Sequence, residues 1–336
     1  MVTKEKLICV TTFLKNDKKH IYLKENLKNV EYLELISFEE EKYLNSNLNS
    51  IKIMYCHPSN FELVPKLIEK FTNLEWIQCA FAGVEKFAPC KELILKRNIV
   101  FTNMKGVFSD ILSEFIFAGI MYFEKKLNEF HEQNKNKQWV DNQMITLKDK
   151  TIGIVGYGNI GAKIAKKAKL GFEMKVLGYK SNLKYVEGRE YLDDIMSNDE
   201  IYKLLETSDY IINILPKTEK TNNFFDIKKF EKMKNSSIFI NIGRGNSVDE
   251  DVLISFLKNK RIKAAVLDVT KIEPLPKESQ LWNLDNCLIT NHSGDTVDDG
   301  FSNSLGALNF FIKIVKEEYI NTGKVSTNLV DLEKGY

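Results

Sequence analysis

Four residues in the second half of the chain form a set able to deliver a proton to a polarised carbonyl: Arg244, Asp268, Glu273 and His292. Arg244 lies between two glycines in NIGRGNSVDE, directly after an apolar run that ends at Asn241. In an α/β sheet the carboxyl end of a strand opens onto the ligand crevice. A planar guanidinium there holds a carboxylate or carbonyl oxygen through two parallel hydrogen bonds. Asp268, Glu273 and His292 each end or follow a strand-like run, in LDV, EPLP and ITNH. A carboxylate beside a histidine favours its charged, proton-donating form. Taken singly, a surface arginine, a solvated glutamate and a structural histidine are the ordinary readings. Together they make an Arg–Glu–His set suited to reducing a 2-oxo acid. Only Arg97, Arg189, Arg244 and Arg261 are arginines among 48 Lys+Arg, so an arginine in such a loop is not background.

A second constellation lies upstream, in TIGIVGYGNIGAKIA. Gly156, Gly158 and Gly161 form a GxGxxG between an apolar strand and a helix carrying Ala162, Ile164, Ala165 and Ala168. Alone the pattern is weak, but the strand–turn–helix context is what a dinucleotide site requires. Gly156 permits the turn, Gly158 lets backbone approach a pyrophosphate, and Gly161 allows close helix–strand packing. The amides of Gly158, Asn159 and Ile160 then face the phosphates at a helix N-terminus. The next strand ends in Lys180-Ser181-Asn182, with no carboxylate to bind a ribose 2′-hydroxyl or repel a 2′-phosphate. Lysine and a hydroxyl suit that phosphate, so NADP is the expected cofactor, with NAD possible.

The elements that must position these residues read as two series of alternating strands and helices, hence α/β with two doubly wound parallel sheets. Expected strands are 7–13, 32–37, 51–57 and 76–80, then 151–155, 175–179, 210–214, 237–241, 264–269 and 287–290. A helical stretch over 107–130 separates the series, with a solvated tail at 131–137, and a last helix covers 301–318. The expected division is 105–295 for the dinucleotide-binding domain. It is inserted into a substrate domain of 1–104 and 296–336, made discontinuous if the last helix packs on the first sheet.

The whole chain has 336 residues, 43% of them hydrophobic, and a net charge of +2, which suits a globular protein of two domains. The balanced charge leaves no footprint for nucleic acid. No apolar run is long enough to span a membrane, and MVTKEKLICV does not read as a signal peptide. Five scattered cysteines and four histidines, none in ligand spacing, argue against disulfides and metal and for the cytoplasm.

The order GxGxxG, LPKTEKT, NIGRGNSVDE, LDVxxxEPLP and TxH resembles that of the D-isomer-specific 2-hydroxyacid dehydrogenases, over nearly the whole chain. The resemblance implies a Rossmann domain inserted into a flavodoxin-like domain. It makes Arg244, Glu273 and His292 the catalytic trio, sets Asp268 to hold the nicotinamide carboxamide, and lets Leu215-Pro216 line the cofactor. Upstream, LEWIQCAFAGV resembles the substrate-carboxylate loop, with the amides of Ala82, Gly83 and Val84 as receptors. It also implies a homodimer, with 107–130 and Trp139 as contacts. Asn291 stands where the family usually has proline, Ser293-Gly294 replace a more apolar stretch, and Lys180 replaces the commoner aspartate. Phosphoglycerate dehydrogenase and a dinucleotide-sensing, corepressor-like protein are the rival readings. Glyoxylate, hydroxypyruvate, pyruvate and branched 2-oxo acids are not distinguished.

Overall fold

The computed structural model describes residues 7–40, 48–301 and 304–333. The chain divides into two compact units, with the divisions at Val107/Phe108 and Asp295/Thr296.

The first unit is built on strands β1 (Leu7–Thr11), β2 (Leu33–Ser37), β3 (Ile51–Cys56), β4 (Trp76–Cys79) and β5 (Val100–Thr102). All are parallel, in the order β2-β1-β3-β4-β5, the flavodoxin-like order. Both faces of such a sheet are covered, which is why LICVT and IKIMYC read as nearly unbroken apolar runs rather than alternating ones. The helix Lys18–Leu27 starts on Asp17, whose carboxylate accepts the Lys19 amide at 2.7 Å, and buries His20, Leu23 and Leu27. After the second unit the chain returns in the helix Leu305–Ile314, whose Phe311 ring packs against Tyr55 and Trp76 with centroids 4.8 and 5.4 Å apart. That helix starts four residues later than its periodicity suggests. Asp299 accepts the amides of both Phe301 and Leu305, and the helix begins at Leu305.

The second unit carries β6 (Thr151–Val155), β7 (Lys175–Tyr179), β8 (Asp194–Met196), β9 (Tyr210–Asn213), β10 (Ile238–Asn241), β11 (Ala264–Leu267) and β12 (Cys287–Ile289). The order β12-β11-β10-β9-β6-β7-β8, all parallel, is the doubly wound order of a Rossmann sheet. Its switch point lies between β6 and β9, and the GxGxxG turn leaves β6 there. The chain is therefore α/β, with two doubly wound parallel sheets.

Two strands, β5 and β8, were not among the expected ones; three residues show no period, and the equally short β12 was expected only as part of the longer run 287–290. The single helix expected over 107–130 is two, Ser109–Glu124 and Leu127–Lys135, separated at Lys126, whose backbone is left-handed at φ +55°. Among the described residues no helix is long and apolar enough to cross a membrane, and no group of three His, Cys, Asp or Glu is placed to hold a metal.

Candidate active site

The glycine turn has the geometry its spacing implies. Gly156 has φ +95°, and a Cβ there would lie 2.9 Å from the Ile214 carbonyl carbon, so both conformation and space demand glycine. At Gly161 a Cβ would press on Tyr157 and Ile154 at 3.1 and 3.3 Å, the close packing of the helix Asn159–Phe172 on β6. Gly158 differs: a Cβ would meet nothing nearer than the Gly156 carbonyl oxygen, at 4.0 Å. No protein contact requires glycine there, and no side chain caps the helix that follows. Unclaimed amides beside open space fit a dinucleotide diphosphate. The Asn159 side chain is used within the protein, accepting from Ser109 Oγ at 2.5 Å and donating to Glu187 at 2.8 Å, which leaves its amide and that of Ile160 for the ligand.

At the end of β7, Lys180 is half-buried and its ammonium donates to the Tyr185 carbonyl at 2.8 Å, within its own loop; Ser181 is exposed. Glu187, on the same loop, reaches back to the glycine turn through Asn159. It was not among the expected site residues.

Behind Arg244 stands a buried polar network that sequence reasoning also missed. Asn213, at the end of β9, donates through Nδ2 to Asn241 Oδ1 at 3.0 Å and to Ser247 Oγ at 2.6 Å. Its Oδ1 accepts the Leu215 amide at 3.1 Å, setting the Leu215-Pro216 turn. Asn241, at the end of β10, accepts the Gly243 amide at 3.1 Å. The Arg244 carbonyl receives Ser247 Oγ at 2.6 Å and Asn241 Nδ2 at 3.3 Å. The flanking glycines are explained by crowding. A Cβ on Gly243 would lie 2.7 Å from the Leu215 carbonyl oxygen, and one on Gly245 would fall on the Thr270 carbonyl. The half-buried Arg244 guanidinium donates to the Gly243 carbonyl at 2.8 Å.

The carboxylate–histidine pair forms as expected: Glu273 Oε2 and His292 Nδ1 are 2.8 Å apart. Glu273 Oε1 accepts the Thr270 amide at 3.0 Å, so both carboxylate oxygens have partners. The imidazole is oriented through Nδ1, while its side chain keeps 47% exposure. Asp268 has a larger structural part than expected. Its Oδ1 accepts from Thr290 Oγ1, the Ser293 amide and the Gly294 amide at 2.7, 2.8 and 3.0 Å. Its main-chain carbonyl accepts the His292 amide at 2.6 Å. Asp268 thus builds the turn that presents His292, in addition to any contact of Oδ2 with a cofactor. Asn291 and His292 both lie in the left-handed region, at φ +56° and +54°. Asparagine tolerates that conformation and proline, locked near −65°, does not, which accounts for Asn291 where proline was the family expectation.

Asp295 completes this surface. Burial pushes its carboxyl above the usual range; His292 and Arg244 oppose the shift and Asp268 adds to it. No motif spacing marks it.

In the first unit the loop after β4 contains Ala82, Gly83 and Val84. Asn103 Nδ2 donates to the Ala82 carbonyl at 2.8 Å, and the Cys79 thiol lies 4.0 Å from the Gly83 carbonyl. Both carbonyls are thereby taken, and among the described residues no acceptor meets the three amides. His57, at the end of β3, was not an expected site residue. Its ring lies against Phe13 and Phe81, and burial lowers its pKa to about 4, with Lys19 adding to the effect.

A Rossmann sheet with an uncapped glycine turn, an arginine on a crowded loop and a carboxylate-held histidine defines an NAD(P)-linked oxidoreductase. The comparisons agree. The family described as "D-isomer specific 2-hydroxyacid dehydrogenase, NAD binding domain" matches residues 117–294. A probable 2-ketogluconate reductase of Dictyostelium discoideum is 31% identical over 296 residues, 83% of this chain and 86% of its own. A glyoxylate/hydroxypyruvate reductase B of Escherichia coli O6:H1 is 32% identical over 246 residues, 72% of this chain and 74% of its own. A solved structure of a D-isomer specific 2-hydroxyacid dehydrogenase family protein from Aeromonas salmonicida superposes with a TM-score of 0.77 at 26% identity. It covers 97% of this chain and 99% of its own. The chain belongs to the D-isomer specific 2-hydroxyacid dehydrogenase family and is an NAD(P)-dependent oxidoreductase of 2-hydroxy and 2-oxo acids.

Proposed function

We propose that the protein reduces a small 2-oxo acid to the D-2-hydroxy acid, using NADPH in preference to NADH. The observation that carries this reading is the 2.8 Å pair of His292 Nδ1 and Glu273 beside the braced Arg244 loop. Arg244 binds the substrate carboxylate and polarises the 2-oxo group; in the first unit, the open amides of Ala82, Gly83 and Val84 are suited to a carboxylate. The reduced nicotinamide, when bound, supplies the hydride to the carbonyl carbon. His292 Nε2 gives its proton to the carbonyl oxygen, which becomes the hydroxyl. Glu273 holds the imidazole in the charged state that step needs. Gly156, Gly158, Gly161 and the amides of Asn159 and Ile160 cradle the diphosphate. Leu215 and Pro216 wall the nicotinamide side, and Asp268 Oδ2 takes the carboxamide. Lys180 and Ser181 take the 2′-phosphate, Lys180 exchanging its carbonyl partner for a charge-assisted bond.

The names of the relatives put glyoxylate, hydroxypyruvate and 2-ketogluconate first among substrates. The test is oxidation of NADPH and of NADH with these acids and with pyruvate. Turnover with NADPH well above NADH supports the reading, and the preferred acid names the substrate. Cofactor binding without turnover on any acid overturns it in favour of a dinucleotide sensor.

The second unit also carries a surface suited to a second copy of the chain. Trp139 is 98% exposed, and Val140 and Met144 are each 53% exposed, on the segment that follows the helix Leu127–Lys135. A homodimer that covers them gives the mass of two chains in light scattering. A monomer at micromolar concentration contradicts it.

A further inference from the structure

We infer that Asn213, Asn241 and Ser247 form a positioning device that ties the cofactor-side turn to the substrate-binding arginine through the Arg244 main chain. The inference rests on the proposed role of Arg244. Three observations carry it.

The first is connectivity. Asn213 belongs to β9, next to the switch point, and Asn241 to the adjacent β10, where Asn213 lies opposite Asn241 in register. One amide group, that of Asn213, holds the Leu215 amide on one side and Ser247 Oγ on the other. Ser247 Oγ passes the restraint on to the Arg244 carbonyl. Any tilt of the Leu215-Pro216 turn is therefore transmitted to the base of the arginine.

The second is satisfaction. Asn213 and Ser247 are 0% exposed and Asn241 is 1% exposed. Polar groups this deep in a parallel sheet cost free energy unless bonded, and these are bonded to one another and to loop backbone. A purely structural strand end would be met as well by apolar side chains. What the polar ones add is a defined position for two loops.

The third is crowding. Gly243 lies against Leu215 and Gly245 against Thr270, with no room for a Cβ at either. Thr270 in turn donates its amide to Glu273. The loop carrying Arg244 is thus clamped between the cofactor-side turn and the segment that holds the Glu273–His292 pair. Rigid main chain on both sides leaves the guanidinium a single base from which to reach a carboxylate.

The test is Ser247→Ala, which cuts the shorter of the two side-chain links to the Arg244 carbonyl, at 2.6 Å, and leaves the 3.3 Å link through Asn241 and the Asn213–Asn241 bond. The expected result is a ten- to hundredfold lower kcat/KM for the preferred 2-oxo acid, shared between kcat and KM. NADPH affinity should stay within twofold and Tm within a few degrees. Ser247→Cys keeps the packing volume with a poorer hydrogen bond, so it reads the same effect should the alanine variant fold poorly. In an Arg244→Lys background, Ser247→Ala should cost less than twofold more, since the group being positioned is already altered. A change below twofold from Ser247→Ala alone overturns the inference. So does an undiminished loss in the Arg244→Lys background, which would mark a general brace. If Arg244→Lys itself keeps wild-type kcat/KM, the role of Arg244 fails, and the inference with it. A crippled Arg244→Lys beside an unaffected Ser247→Ala removes the inference alone.

Discussion

Two histidines follow strand ends in the two units and meet opposite environments. His57, just past β3 in the first unit, lies between the rings of Phe13 and Phe81, 5.0 and 5.6 Å away by centroid. Desolvation lowers its pKa to about 4, and the imidazole is neutral at physiological pH. His292, three residues past β12 in the second unit, keeps 47% exposure and has a carboxylate 2.8 Å from Nδ1. Desolvation disfavours the charged imidazole, and a carboxylate partner favours it. The same side chain is therefore a shielded, neutral packing group in one unit and a half-exposed ring held by a carboxylate in the other, the environment that the proposed proton-donor role of His292 requires. The strand ends differ in the same sense. Those of the second unit carry Asn213, Asn241 and Asp268, all bonded to the backbone of the loops that carry the candidate site residues. Those of the first unit present backbone amides at Ala82–Val84 and aromatic rings.

The sharpest way to break this contrast is to remove each histidine. His292→Ala should lower kcat by about 10²–10⁴-fold, the usual contribution of general acid catalysis, and leave NADPH binding intact. Steady-state turnover and fluorescence titration with NADPH check this. Full activity in His292→Ala removes the residue from the role. Arg244→Lys comes next. An ammonium cannot reproduce the two-pronged contact, and loss of a charge-assisted bond of roughly 2–3 kcal/mol predicts about a hundredfold lower kcat/KM. Initial rates across substrate concentration read it.

The first unit is tested by acid rather than by activity. The unfolded chain protonates a histidine near 6.5, whereas His57 in the fold takes its proton near 4. Between these values the unfolded state binds more protons. His57 therefore contributes its full stability above pH 6.5 and loses it as pH falls toward 4. Linkage at about 1.4 kcal/mol per pH unit puts the loss by pH 5 at roughly 2 kcal/mol. Urea midpoints at pH 7.5 and pH 5 should differ less in His57→Gln than in the wild type. An unchanged pH dependence would mean that burial of this ring does not govern it.

The smallest expected effect is in the second unit but away from the chemistry. Lys180→Asp places a carboxylate at the end of β7, where it accepts from ribose hydroxyls and repels a 2′-phosphate. The ratio of kcat/KM with NADPH to that with NADH should fall by about tenfold or more. A ratio that does not move excludes Lys180 as the discriminating residue.

Much of the site is legible in the chain because its signals are local. GxGxxG needs only the strand before it and the helix after it, and Gly156 and Gly161 have the roles that spacing assigns. Arg244 stands out by its glycines, although the reason for them, Leu215 on one side and Thr270 on the other, lies 28 and 25 residues away in sequence. Glu273 and His292 were paired by order of motifs, and their contact spans 19 residues. The supporting network was not legible. Asn213 reads as the polar end of an apolar run and Ser247 as a loop serine. Nothing in either neighbourhood names a partner 34 residues distant. Glu187 and Asp295 belong to the same class: single carboxylates on loops, meaningful only once the chain has brought them to the glycine turn or beside His292. The three-residue strands β5 and β8 and the break at Lys126 were missed because each is decided by packing rather than by period.

The sequence by itself therefore determined the α/β class, the doubly wound parallel sheets, the glycine turn after β6 and the candidate set Arg244, Glu273 and His292. Each of these follows from hydrophobic period or from residue types at short, regular spacing. Only the tertiary structure decided which histidine is shielded and neutral, which carboxylate builds the turn and which holds the imidazole, and how the arginine is fixed. Those outcomes depend on desolvation and on hydrogen bonds between strands adjacent in space, and neither is expressed in the order of residues along one element.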